Sequence, residues 1–166
     1  PLSYDRIIQK ARKPGKYKGH ILMITRWMAL DIGSKRFGVA ITDPLKLTSR
    51  PLLTMERSNL KVDVEKIADL IVRYNVERLI VGRPLYLNGE ISPSIEKISP
   101  LVMKLRQKTP VPVVWMNESL STKEADFIMH ELRIQSSERR KKKDEFSAAL
   151  ILKWYMEEKA SPSTLS

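Results

Sequence analysis

Cysteine is absent from the 166 residues, and histidine occurs only at His20 and His130. The first absence excludes disulfides and thiolate-bound zinc. The second leaves too few imidazoles for a histidine-based metal site, so any metal must be held by oxygen ligands. No apolar run approaches the roughly 20 residues of a membrane span, and the basic opening lacks the apolar core of a secretory signal before Ile21. The expectation is a cytoplasmic protein with no membrane partner. At this length, with 42% hydrophobic residues, the chain can bury one proper core, and two full domains are not expected.

What is present in excess is positive charge, +11 in all, and it is unevenly placed. Between residues 1 and 22, Arg6, Lys10, Arg12, Lys13, Lys16 and Lys18 stand against Asp5 alone, and Arg139, Arg140, Lys141, Lys142 and Lys143 follow one another without interruption. The remainder is nearly neutral. The first segment, with Pro14, Gly15 and Gly19 among its lysines and no sustained periodicity, reads as a flexible basic arm. A single domain is expected over 23–158, followed by a short flexible tail over 159–166. A local basic run suits contacts with phosphates, whose strength falls with added salt; it also suits a solvated loop.

Two apolar runs, at 27–32 and 37–42, are joined by Gly33-Ser34-Lys35-Arg36 and predict a β-hairpin. Leu52 to Met55 offers a third strand after the Pro51 break. Ser58 or Asn59 caps a helix with Val64, Ile67, Ala68, Leu70, Ile71 and Tyr74 at helical spacing. Val76 to Gly82 predicts a buried strand, with residues 83–89 as a loop at its carboxyl end. A helix from Ser94 to Gln107 follows, kinked or divided at Pro100. Val111 to Met116 is the next strand, and Ser121 or Thr122 caps a helix bearing Ala125, Ile128, Met129 and Leu132. Residues 133–143 read as a polar, basic loop before a final helix from Asp144 to Glu158, with Ala148, Ile151, Leu152 and Tyr155 on its apolar side. A hairpin and a third strand followed by alternating helices and strands predict an α/β fold with a mixed sheet.

Within this pattern Asp31 interrupts an apolar strand, where an ionised carboxylate is costly unless a cation or hydrogen bonds compensate it. Ligands in such sheets gather at the carboxyl ends of strands. Asp31, Glu118 after the last strand and Asp144 at the final helix are placed to share that edge. Three carboxylates meeting at one point repel each other, and Mg²⁺ or Mn²⁺ resolves the repulsion. Two such ions about 4 Å apart activate water and stabilise the leaving oxygen in phosphodiester cleavage. Taken singly, each acid also has a structural reading: Asp31 as a turn residue, Glu118 as a capping neighbour, Asp144 as an acid at a helix N-terminus.

Four ordered blocks carry a resemblance: Leu30-Asp31-Ile32-Gly33-Ser34-Lys35-Arg36-Phe37-Gly38-Val39-Ala40, Val81-Gly82-Arg83-Pro84-Leu85-Tyr86-Leu87-Asn88-Gly89, Asn117-Glu118-Ser119-Leu120-Ser121-Thr122-Lys123-Glu124-Ala125, and Asp144-Glu145-Phe146-Ser147-Ala148-Ala149-Leu150-Ile151-Leu152. Together they resemble the YqgF/RuvX family, RNase H-like bacterial proteins described as Holliday junction resolvase-like and as pre-16S rRNA nucleases. The resemblance implies a five-stranded mixed sheet of order 3-2-1-4-5 with helices on both faces. It implies an acidic triad at Asp31, Glu118 and Asp144 holding Mg²⁺ or Mn²⁺, and cleavage of structured RNA or branched DNA. Lys35, Arg36, Arg83 and Arg139 to Lys143 are then the expected phosphate contacts. Ser119 stands where the family commonly has arginine, and Arg83, Tyr86 and Asn88 replace its more usual Leu, Asn and Asp.

Maturation of the 5′ end of pre-16S rRNA is the expected role. Holliday junction resolution and a non-cleaving nucleic-acid adaptor are the alternatives. The Asp31-Ile32-Gly33-Ser34 turn also resembles the first phosphate loop of actin-like kinases, but those proteins close two such domains around a nucleotide. A monomer suffices to trim one RNA strand, whereas symmetric cutting of a four-way junction calls for a homodimer.

Overall fold

The computed structural model describes residues 24–85, 90, 92–118 and 136–160. The expected basic arm, Tyr86 and Asn88 of the second block, and the helix expected after Ser121 lie outside the described residues. The side chains of Glu118, Arg139, Arg140 and Lys141 lie outside them too.

The hairpin forms as its alternation demands. β1 (Arg26–Ile32) and β2 (Arg36–Thr42) pair antiparallel, with Asp31 opposite Gly38 and Ile32 opposite Phe37. β3 (Ser49–Glu56) pairs antiparallel with β2 and is longer than Leu52 to Met55. Pro51 does not break it: Pro51 sits opposite Ala40 where the ladder slips by a residue. β3 is a sheet edge, and a bulged edge tolerates the missing N–H of proline.

Asn59 caps α1 (Leu60–Arg73), its side chain accepting from the Val62 N–H at 3.0 Å. β4 (Val76–Pro84) runs parallel to β1 and takes in Arg83 and Pro84, which the sequence assigns to a loop. α2 (Ser94–Lys108) continues through Pro100 rather than dividing there. Beside that proline the Ser99 hydroxyl donates to the Ile95 carbonyl at 2.8 Å. β5 (Val113–Glu118) pairs parallel with β4 and completes a five-stranded sheet of order β3-β2-β1-β4-β5.

The largest departure is α3 (Ser136–Ala160), which starts eight residues before Asp144. The basic run expected as a loop is helical. Arginine, lysine and glutamate are good helix formers, and no glycine or proline interrupts 136–160. Five consecutive helical residues cover the whole circumference, so this run is not one basic stripe. Asp144 therefore lies inside a helix, which removes its reading as an N-terminal dipole acid.

Strand alternation sends successive side chains to opposite faces. Met28, Leu30 and Ile32 of β1, Phe37, Val39 and Ile41 of β2, and Leu79 and Val81 of β4 join Ile67, Ile71, Leu101 and Leu105 of α1 and α2 in the larger core. Phe37, Leu30, Ile67 and Leu101 are fully enclosed there, each contributing about 1.5–3 kcal/mol through burial. On the other face the sheet presents small residues, Ala29, Ala40 and Gly38, and α3 lies down on them through Ala148, Ile151, Leu152 and Tyr155. The helices thus cover both faces, α1 and α2 on one and α3 on the other. Among the described residues no helix is long and apolar enough to cross a membrane.

Candidate active site

The small residues beneath α3 determine which acids meet. An ideal Cβ on Gly38 would lie 1.9 Å from the Asp144 carbonyl oxygen and 2.5 Å from the Glu145 nitrogen. Only glycine lets the α3 backbone approach β2 this closely. Asp31 is directly across the ladder from Gly38 and alternates with Ala29 onto the α3 face. The helix thus arrives beside Asp31 carrying Asp144 with it.

The electrostatics reflect this crowding. Burial first and the neighbouring charge of Asp144 second push the Asp31 carboxyl up to about 7, against the opposing influence of Ser147 and Lys143. The Ser147 hydroxyl is buried, without a hydrogen bond of ordinary geometry among the described residues, yet close enough to the Asp31 carboxylate to lower its pKa as a donor. Asp144 is paired with Arg36, Nε to Oδ2 at 3.0 Å, in a contact that keeps both side chains partly exposed. Burial also raises the neighbouring Glu145, against the pull of Lys142.

Arg36 therefore occupies a different place from the one its sequence suggests. An expected phosphate contact, it lies against Asp144, one of the two acids, at ion-pair distance. Lys35 stays in the exposed turn. Lys142 and Lys143 lie half-buried on α3, with Lys143 acting on Asp31 and Lys142 on Glu145. Arg83 alternates with Leu79 and Val81 and so starts from the opposite face of the sheet from Asp31. The backbone of Glu118 stands at the carboxyl end of β5, opposite Pro84 and two residues beyond Met116, which packs on the α3 side.

Beside Asp144 an open groove of about 930 Å³ runs around the β1–β2 turn. Lys35, Arg36, Arg57 and Lys97 bring four cations to it against Glu56 and Asp144. Arg57 is firmly held. Its guanidinium donates to the Gly33 carbonyl at 3.1 Å and pairs at 3.5 Å with Asp63, a carboxylate only 1% exposed. Its backbone N–H donates to the Lys35 carbonyl at 2.9 Å. Arg57 thus ties the turn to the start of α1, where Asp63 also accepts from the Ser58 N–H at 2.9 Å. Neither Arg57, Lys97 nor Ser147 was singled out by sequence reasoning. Ser147 had a signal, three residues after Asp144 and hence on nearly the same side of a helix; Arg57 and Lys97 had none.

The donor set suits a hard divalent cation. Two carboxylates repel each other beside a buried hydroxyl, a set of oxygen donors, and a cation among them would relieve the repulsion. Among the described residues no third acid joins Asp31 and Asp144 to complete a ligand set.

Known proteins resemble this arrangement in sequence and in fold. The sequence pattern of the RuvX family, described as Holliday junction resolvase, matches residues 25–158. A protein of Desulforudis audaxviator named "Putative pre-16S rRNA nuclease" is 37% identical over 136 residues, covering 82% of this chain and 96% of that one. One of Roseiflexus sp. with the same name is 36% identical over 132 residues, covering 80% and 94%. Among solved structures, the Fowlpox virus resolvase in complex with Holliday junction DNA aligns with a TM-score of 0.52 at 18% identity, covering 82% of this chain and 99% of that one. T. thermophilus RuvC in complex with a Holliday junction substrate aligns with a TM-score of 0.51 at 15% identity, covering 81% and 96%. At these identities the structural likeness is one of fold.

Proposed function

The chain belongs to the RuvX family, and from that membership and its paired acids we propose that it is a divalent-metal-dependent nuclease acting in 5′-end maturation of pre-16S rRNA. The observation that carries the reading is Asp31, a strand carboxylate whose pKa burial and Asp144 raise to about 7. A fold gains no stability from two acids forced together, whereas a cation site requires them.

In this reading Asp31 and Asp144 hold Mg²⁺ or Mn²⁺, with Glu118 supplied from the end of β5 as a further ligand. Bound in a pair, such ions lower the pKa of the attacking water and neutralise the departing oxygen. The chain's own part is positional. Gly38 sets the separation of the two acids, Asp31 is half-buried on the sheet face that α3 covers, and the Arg57 tie fixes the turn that carries Lys35. Lys35, Arg57 and Lys97 line the groove through which a phosphate backbone leaves the acids, with Lys142 and Lys143 on the helix above and Arg139, Arg140 and Lys141 preceding them. A pre-16S rRNA substrate, which the names of the relatives reported above support, would go with a cytoplasmic protein. The RuvX description favours a second reading, cleavage of branched DNA.

The test is incubation of the protein and of Asp31→Asn with precursor 16S rRNA and with a four-way DNA junction, in Mg²⁺, Mn²⁺ or EDTA. Metal-dependent RNA cutting that disappears in Asp31→Asn is expected. Cutting confined to the junction replaces the first reading with the second, and binding without cutting by the unaltered chain in either metal refutes both in favour of an adaptor.

A further inference from the structure

The four groove cations are not equivalent. Arg57 is committed on both sides, to the Gly33 carbonyl and to the nearly inaccessible Asp63. Arg36 is held differently: it pairs with Asp144, itself a candidate metal ligand, and the contact is 35% exposed on the arginine and 24% on the acid. Arg36 also lines the groove together with Lys35 and Lys97. It is thus a cation seated on a carboxylate that a metal would need, at the margin of a space shaped and charged for phosphate.

We propose that Arg36 is an exchangeable latch. Without a divalent ion it neutralises Asp144, and when an ion takes that carboxylate the guanidinium turns into the groove and binds a phosphate of the nucleic acid. The inference rests on the metal-centre reading above. Two cations cannot share the Asp144 carboxylate without repelling each other, so ion and guanidinium compete for it. The pair is weak enough to be exchanged, since a partly exposed ion pair contributes little once water screens it. A guanidinium released beside the groove gains a phosphate partner matched to its planar fork. Metal loading and backbone binding then become reciprocal, each favouring the other by the same factor.

The experiment uses the full chain and two variants, Arg36→Gln and Arg36→Lys, with thermal unfolding as a check on folding. Mn²⁺ binding is measured by calorimetry without nucleic acid. Binding to a fluorescein-labelled RNA hairpin is measured by anisotropy, with and without Ca²⁺ in place of Mg²⁺. Removing the competitor in Arg36→Gln is expected to tighten Mn²⁺ binding about two- to five-fold and to abolish the gain in RNA affinity that Ca²⁺ gives the unaltered chain. Arg36→Lys, which keeps a charge but loses the fork, is expected to fall between, and it carries the test should Arg36→Gln not fold. Lys35→Gln is expected to weaken RNA binding by the same factor with and without Ca²⁺. Equal or weaker Mn²⁺ binding in Arg36→Gln, or an undiminished Ca²⁺ effect, overturns the latch and leaves the metal centre standing. Absence of Mn²⁺ binding in the unaltered chain and both variants overturns the metal centre and the latch with it.

Discussion

Gly38→Ala adds one methyl group, and its consequence can be worked from the contact it would make. The new Cβ would fall 1.9 Å from the Asp144 carbonyl oxygen and 2.0 Å from its carbon, where ordinary contact begins at 3.4 Å, so α3 must retreat by about 1.5 Å. Both atoms are backbone, and no side-chain rotation can relieve the overlap. A retreat of that size separates Ala148, Ile151 and Leu152 from Ala29, Ala40 and Ile80, all at 0% exposure, and forfeits much of their dispersion contact. Overpacking of a core costs about 1–3 kcal/mol, and with backbone on both sides the upper end applies. For a domain of this size that corresponds to a fall in Tm of about 10 °C. Because the displaced segment carries Asp144, cleavage should fall by at least about 100-fold, the cost of a misplacement of this order. Circular-dichroism melting and Mn²⁺ calorimetry read the two effects separately. Gly33→Ala, whose Cβ would stand 3.0 Å from the Arg36 carbonyl oxygen, is the milder comparison at about 1 kcal/mol. A Gly38→Ala protein that melts within about 2 °C of the unaltered chain and binds Mn²⁺ equally well would refute the close-approach reasoning.

Asp31 makes metal-free stability depend on pH. Its folded pKa, about 7, lies above the ordinary aspartate value of 3.8, so the contribution of its protonated form is fully present below about pH 4 and is lost as pH rises through 7, by an amount on the order of 4 kcal/mol at most. In EDTA, Asp31→Asn should therefore melt higher than the unaltered chain at pH 8 and not at pH 4, and Mg²⁺ at pH 8 should raise the Tm of the unaltered chain alone; equal melting of the two proteins at pH 8 contradicts the buried-acid account. Arg57→Ala strands the Asp63 carboxylate, 1% exposed, with the Ser58 N–H, and should cost about 3 kcal/mol by urea unfolding; a loss below about 0.5 kcal/mol would show that the tie is ornamental. Lys35→Gln and Lys97→Gln should each lower the slope of log affinity against log salt for an RNA hairpin by about 0.7–0.9, and an unchanged slope in either removes that residue from the backbone path.

The elements legible in the sequence are those whose local signals agree with their tertiary setting. The β1–β2 hairpin alternates cleanly because each face has its own layer, and α1 announces itself through Asn59 and its apolar stripe. The sheet order followed from resemblance rather than periodicity. The misreadings fall where one signal was given too much weight. Pro51 was treated as a break, but an edge strand with a bulge accommodates it. The run from Arg139 to Lys143 was treated as a loop because it lacks an apolar stripe, although its residues favour helix and nothing in it opposes one.

The site was legible as a set of residue types, and its arrangement was not. Asp31 stands out as an acid within an apolar strand and Asp144 as an acid ending a basic run, but their meeting depends on Gly38, whose missing side chain matters only once a helix is known to cross it. The same crossing decides the fate of Arg36. Read along the chain, Arg36 and Lys35 are adjacent turn cations with equal claims on a phosphate. In the folded sheet Arg36 begins β2 on the face that α3 covers and reaches Asp144, while Lys35 remains in the exposed turn. Two neighbours of like charge are thereby given different surroundings by strand alternation alone: under the proposals above, Lys35 is open to a phosphate at all times, and Arg36 would reach one only after the acids have been given a cation of their own.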